Sequence, residues 1–349
     1  MHGAFNNYDE LALDYWQCGQ LDTAIAIWQL AIAHNATTAM TYYYIGMCAE
    51  GCDHYRPQQV ETLFTEASQA DSSYCFPNRL EAIIALNAAI ACHPDDAKAH
   101  YYLGTLYYGA RQYDVAHRHW SLSANADPQF PTVWRNLALE EFNKENDTEK
   151  AVSDMERAFQ LDTSDARILW ELDQLYKRLG YDHQLRLTHL EKYPALIAQR
   201  EGLLLEEITL LNLTGHYTEA MEKLDAHRFH PWEGGEGKVS GQYQLSRLVL
   251  AKQALDDGDY DRSIELLSEC LVYPHHLGEG KLYGAQENDL YYFLGCAHEA
   301  KGEKQKAQAC WEKAALDAVL LVRAVSLKPC AAGCLLFGER KMCVACIIR

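Results

Sequence analysis

One spaced set of residues recurs, in whole or part, at about eight places between Phe5 and Leu321, and it constrains the fold more than any other feature. In the clearest copy it reads Leu103, Gly104, Tyr107, Tyr113, Ala116, Trp120 and Pro128. Leu103 and Tyr107 stand one helical turn apart, on the face of a helix that packs inward. Gly104 lies between them, where a missing side chain lets a second helix approach closely despite glycine's poor helix propensity. Ala116 and Trp120, small then large at a spacing of four, sit on the following helix and interdigitate with the first. Pro128 ends that helix, because it has no amide donor and restricts its predecessor.

The same frame falls on Leu11, Ala12, Tyr15, Gly19, Ala24, Trp28 and Ala31, so the first copy starts near Phe5. A second copy keeps Tyr42, Ile45, Gly46, Val60, Phe64 and Ala67, with about two extra residues around His54–Pro57 that predict a longer turn. Ala82, Leu86, Ala89 and Pro94 carry only a second-helix signature, a half-unit. Trp134, Leu137, Ala138, Ala151, Met155 and Ala158 form a fourth copy lengthened by one residue, with Asp147 in its turn. Leu169, Leu172 and Tyr176 open a fifth, whose second helix around Gln184–Tyr193 has lost the small-large pairing. Three more are marked by Gly215, Tyr217, Ala220 and Leu224, by Leu250, Ala251, Gly258, Tyr260 and Leu267, and by Leu294, Gly295, Gly302, Ala307, Trp311 and Ala314.

The pattern resembles the tetratricopeptide repeat (TPR), a helix-turn-helix unit of about 34 residues. That resemblance implies an all-α superhelical solenoid of about eight units, which presents an extended surface to a partner. The expected organisation is repeats one and two over residues 1–72, a half-repeat over 73–96, repeats three to five over 97–199, repeats six to eight over 200–321, and an atypical tail over 322–349.

The formal net charge is −18. Nucleic acid and anionic membrane surfaces both require clustered Lys and Arg, so neither is expected as a partner. Met1–Glu10 lacks the apolar core of a signal peptide, and no stretch offers the roughly 20 apolar residues of a membrane span, which predicts a soluble, cytoplasmic protein. Of twelve cysteines, Cys18, Cys48, Cys92, Cys270, Cys296 and Cys310 are scattered on helix patterns and read as reduced thiols. From about Val322 the repeat stops, and Cys330, Cys334, Cys343 and Cys346 crowd among Arg323, Lys328, Arg340, Lys341 and Arg349. Their C-x3-C-x8-C-x2-C spacing only superficially matches a structural zinc site, and an aberrant or poorly ordered tail fits the abrupt change better.

Two segments break the repeat in the same way. His230–Gly241 and Leu277–Gly284 each hold G-E-G-K, then an apolar residue, one more residue and glycine, and each precedes the first helix of a repeat. A phosphate-binding P-loop is excluded, because Val239 follows Lys238 and the preceding element is helical. Glycines ahead of a helix can still present amides to an anion, aided by Lys238 and Lys281 and opposed by Glu236 and Glu279. The connector reading, with Trp232 filling the superhelix, is favoured. The run from His230, with the later loop, is similar to the TPR-bearing C-terminal part of large bacterial proteins of unknown function that carry a β-rich, carbohydrate-enzyme-like N-terminal region. That likeness implies a carbohydrate-active partner domain, although such a half is not expected ahead of a first repeat that begins almost at Met1.

First helices of TPR units line the concave face. Their outward positions here hold Tyr43, Tyr44, Tyr101, Tyr102, Tyr108, Arg135, Asn136, Arg167 and Trp170, which predicts an aromatic groove suited to an extended peptide or a sugar ring. A chaperone-type carboxylate clamp is not expected: only Asn136 and Arg167 fall at its positions, and Tyr101, Thr105 and Glu171 take the others. For catalysis, His117 and His119 straddle a helix, His275 and His276 sit in a connector, and Glu140 and Glu141 read as a solvated pair. None converges with a nucleophile, so neither enzymatic activity nor a cofactor is expected. The expected role is a non-catalytic scaffold for a protein or peptide partner, the alternative being the accessory half of a carbohydrate-active enzyme.

Overall fold

The computed structural model describes residues 4–72, 75–231 and 235–322, and every regular element among them is helical. The Cys-rich tail and Trp232 lie outside the described residues. Two compact units divide the chain, Met1–Leu179 and Gly180–Arg349. The division falls inside the fifth repeat, where the second helix has lost its small-large pairing.

In the first unit α1 (Ala4–Gln17) and α2 (Leu21–Ala33), α3 (Ala39–Glu50) and α4 (Pro57–Gln69), α6 (Ala97–Gly109) and α7 (Tyr113–Ala126), and α8 (Pro131–Glu140) and α9 (Thr148–Leu161) pack as antiparallel hairpins, followed by α10 (Ala166–Arg178). α5 (Glu81–Cys92) is the predicted half-unit. It packs on α3 and α6 through Ala82, Ala85, Leu86 and Ala89.

The hairpins are built on a glycine-aromatic contact. A Cβ placed on Gly104 would lie 2.5 Å from Trp120 Nε1, and one on Gly46 would lie 2.6 Å from Phe64 Cε1. Gly295 meets Trp311 in the same way. Gly104–Trp120 and Gly295–Trp311 are sixteen residues apart, whereas Gly46–Phe64 are eighteen apart because the α3–α4 connection, 51–56, absorbs the two-residue insertion. The indole N–H of Trp120 donates to Tyr101 O and that of Trp311 to Tyr292 O, both at 3.2 Å and both nineteen residues back. In the first repeat Ala12 stands where the glycine would be, and Trp28 Nε1 donates at 2.9 Å to the carboxylate of Asp9, again nineteen residues back. Burial pushes Asp9 up to about 6, against the opposing hydrogen bond from Trp28 and the charge of Arg79.

Asp side chains start many of the helices by accepting an amide hydrogen bond from the first turn. Asp96 does so for α6, Asp147 for α9 and Asp165 for α10. The one-residue lengthening of the fourth repeat becomes a π-helical turn, Glu141–Glu145, closing on Asn146 at φ 57°.

The second unit holds α11 (His183–Leu190), α12 (Pro194–Gln199), α13 (Glu201–Leu213), α14 (Tyr217–Ala226), α15 (Lys238–Asp256), α16 (Tyr260–Cys270), α17 (Asn288–Ala300) and α18 (Lys304–Val322). α11 and α12 pack on α13, and the remaining helices pair in order as hairpins. Cys18, Cys48, Cys52, Cys75, Cys92, Cys270, Cys296 and Cys310 are free thiols. No helix among the described residues is long and apolar enough to cross a membrane.

Candidate functional site

Four tyrosines expected to line an open groove lie in the core. Tyr43 and Tyr102 are fully buried, with Tyr44 and Tyr101 only slightly less so. Each points away from its own hairpin, and in a stacked array that direction leads into the neighbouring element. The Tyr43 hydroxyl donates to the Asp96 carboxylate, 3.0 Å from Oδ2, and its ring meets Tyr102 edge-on at 6.1 Å. Tyr44 stacks on Trp28 at 5.2 Å. Tyr108 is half-buried against Tyr113 and Trp120.

The polar members of the predicted groove do come together. Arg135 grips Glu171 with both arms of its guanidinium, Nη2 to Oε1 at 2.6 Å and Nε to Oε2, while Nη1 donates to Asn136 Oδ1 at 2.9 Å. Arg167 Nε reaches the same Glu171 at 3.0 Å. Burial pushes the Tyr101 phenol up, and the positive charges of Arg135 and Arg167 oppose the shift, which places all three in one neighbourhood on α6, α8 and α10. Arg167 is 54% exposed while Glu171 is 12% exposed, so the carboxylate anchors a guanidinium that faces solvent. Trp170 is half-buried on α10. Glu171 as the organising acid was visible only as a departure from the carboxylate clamp, because its partner lies 36 residues earlier.

The twin glycine loops lock onto each other. Phe229 N donates to His276 O at 2.7 Å, and the Glu279 carboxylate accepts from Gly237 N at 2.8 Å and from Ser240 N. The amides that an external anion would need at the start of α15 are therefore taken by a carboxylate of the second loop, the favoured charge at a helix N-terminus. Gly278, at φ 70°, has no room for a side chain, since a Cβ would lie 2.5 Å from Phe229 O. Lys281 bonds Glu287 Oε2 at 2.7 Å, and the buried Glu287 also accepts from the Tyr273 hydroxyl at 2.9 Å. Burial and that bond push Tyr273 up to about 12. Glu236 and Lys238 are exposed. Glu236, Glu279 and Lys281 line a cleft of about 400 Å³ between the loops.

Two groupings were not foreseen. Arg247 is buried on Tyr243, 3.6 Å from ring centroid to guanidinium carbon, and bonds both Asp225 oxygens at 2.6 Å and Glu269 at 2.9 Å beside a cleft of about 550 Å³. Nothing in the repeat pattern marks it. Glu140 and Glu141, read as a solvated pair, are instead 2% and 0% exposed, because the π turn carries the chain inward at the end of α8. His117 Nδ1 lies 2.8 Å from Glu140 Oε2, and Lys150 Nζ lies 2.6 Å from Glu141 Oε1. Burial raises Glu141 and its neighbour Asp154, and the Lys150 charge opposes both shifts. Among the described residues, His117, Glu140 and Glu145 form one group with metal-ligand spacing, and the exposed Asp22 and His54 form another with the half-buried Cys52.

Helix hairpins joined through glycine-aromatic contacts at a recurring spacing make this an all-α helical-repeat protein. No family model matches the chain. Among solved structures it is similar to YrrB, described as a TPR protein with an unusual peptide-binding site, at 15% identity over 69% of this chain and 98% of that one, with a TM-score of 0.37. A tetratricopeptide repeat protein from Parabacteroides merdae matches at 14% identity over 89% of this chain and 92% of its own, with a TM-score of 0.36. The TPR domain of P58(IPK) matches at 16% identity over 89% and 92%, with a TM-score of 0.29. Sharing so few residues, these proteins lend none of their ligands to this chain.

Proposed function

We propose that the chain is a non-catalytic scaffold that holds an extended segment of a protein partner along α6, α8 and α10, with Arg135, Asn136, Arg167 and Trp170 as contacts. The supporting observation is the Arg135–Glu171–Arg167 linkage, which fixes two guanidiniums across neighbouring first helices before any partner arrives. Side chains already ordered in the free protein lose little entropy on binding, and such rigidity is what an extended, flexible partner needs from its receptor. Two arginines against one glutamate also leave a local positive charge on a chain that is strongly acidic overall. In this reading the glycine loops act as a clamp between repeats, and the cleft lined by Glu236 and Lys281 is a secondary contact surface.

The test is binding to an immobilised peptide array by the full chain and by Arg167→Glu and Trp170→Ala variants. Both side chains reach the surface, so both variants are expected to fold and to lose peptides that the wild type retains. Identical profiles from all three proteins would remove this face from consideration. Retention on oligosaccharide resins in place of peptides would support the carbohydrate-linked alternative instead.

A further inference from the structure

The junction of the third and fourth repeats gathers four carboxylates. Glu140, Glu141 and Asp154 are 2%, 0% and 8% exposed, and Glu145 stands at their solvent side. Lys150 answers Glu141, and the charges of Lys150 and Arg157 act on Asp154. Glu140 and Glu145 are left to a single imidazole, that of His117, whose Nδ1 lies 2.8 Å from Glu140 Oε2 and 3.8 Å from Glu145 Oε1. Buried charges in proteins are paired or coordinate metals.

The backbone explains how these groups meet. In an α-helix, residues five apart point about 140° away from each other. The π turn over Glu141–Glu145 winds more loosely, with i→i+5 bonding, and so turns Glu145 back toward the side of Glu140. His117 reaches the same place from α7, the second helix of the preceding repeat. The three donor atoms all lie within 4.8 Å of one another. Two ligands about 2.1 Å from one cation at a tetrahedral angle stand about 3.4 Å apart, and the observed 2.8 and 3.8 Å fall on either side of that value.

We propose that His117 Nδ1, Glu140 and Glu145 bind a divalent first-row transition cation. One imidazole with two carboxylates is a donor set suited to Mn²⁺, Fe²⁺ or Zn²⁺, and Glu145, 44% exposed, leaves water access to the remaining positions. The ion pins α7 to the end of α8 and so fixes the angle between two repeats.

The experiment titrates the full chain with Mn²⁺ and follows the electron paramagnetic resonance signal of the free ion. Mn²⁺ is the probe because it favours carboxylate and imidazole over the thiolates that this chain also carries. One Mn²⁺ bound per chain is expected, with affinity falling at least about tenfold in Glu145→Gln and in His117→Ala. Glu145 is at the surface, so Glu145→Gln should keep the wild-type circular dichroism and remains informative if His117→Ala fails to fold. An undiminished free-ion signal with wild type overturns the proposal. So does unchanged binding by Glu145→Gln, or binding that is lost only in Asp22→Ala.

Discussion

Replacing Gly104 by alanine probes the contact on which the hairpins are built. The new Cβ would lie 2.5 Å from Trp120 Nε1, well inside any real carbon-nitrogen contact. Trp120 has little room to move: it is 3% exposed, packs against Tyr108 at 5.3 Å, and donates its indole N–H to Tyr101 O at 3.2 Å. Forcing one methyl group into a filled core costs about 1–3 kcal/mol. Displacing the indole also weakens a hydrogen bond worth about 1 kcal/mol. Against this, alanine gains about 1 kcal/mol of helix propensity over glycine. The net expectation is a loss of about 1–3 kcal/mol, read as a lower urea midpoint by far-UV circular dichroism.

Gly109→Ala is the internal control. It lies in the same helix at ordinary φ, and its new Cβ meets nothing within 4 Å. It should leave stability unchanged or raise it by up to about 1 kcal/mol. Adding Trp120→Leu to Gly104→Ala should make the two substitutions non-additive, since they share one contact. If Gly104→Ala proves as stable as Gly109→Ala, the close approach of the indole is not what the glycine is for.

Stability should also depend on Asp9. With its pKa raised from 3.8 to about 6, the native chain keeps a proton across that window while the unfolded chain releases it. Stability therefore falls as pH rises from 4 toward 6, by roughly 3 kcal/mol at about 1.4 kcal/mol per unit. Asp9→Asn, which keeps an acceptor for Trp28, should remove this dependence in urea titrations at pH 4 and pH 7; a variant with the wild-type pH slope would contradict the burial argument. Arg111 closes α6 at φ 60°, a conformation that costs an L-residue about 1–2 kcal/mol. Arg111→Gly should stabilise by about 0.5–1 kcal/mol after the greater freedom of glycine in the unfolded chain is subtracted, and a lowered melting temperature would speak against it. Glu279→Ala should cost about 1–2 kcal/mol by uncapping α15. Hydrogen exchange at Gly237 and Ser240 checks this, because unchanged protection of those amides would show that the carboxylate is not their partner.

The helix pairs could be read from the chain because their determinants are local. Leu103, Gly104 and Tyr107 mark one face of one helix, Ala116 and Trp120 the matching face of the next, and both faces follow from the 3.6-residue turn. The two extra residues in the second repeat and the single extra residue in the fourth were visible as breaks in that period. What period alone did not say is how each break is absorbed: a longer connection at 51–56, but a π turn at Glu141–Glu145 that takes Glu140 and Glu141 out of water.

The rest belongs to contacts between units of the repeat. Tyr43, Tyr44, Tyr101 and Tyr102 point away from their own hairpins, and a pattern confined to one hairpin therefore assigns them to the surface. Stacking puts the next element against that surface and buries them. The same holds for Glu279 on the amides of Gly237 and Ser240, for Glu171 between Arg135 and Arg167, and for His117 beside Glu140. Each pairing joins groups 23 to 42 residues apart, save the Arg167–Glu171 turn. Side-chain period within a helix is fixed by backbone geometry and is written in the sequence, whereas the partner of an outward-facing group is chosen by how neighbouring hairpins stack, and only the folded array decides that.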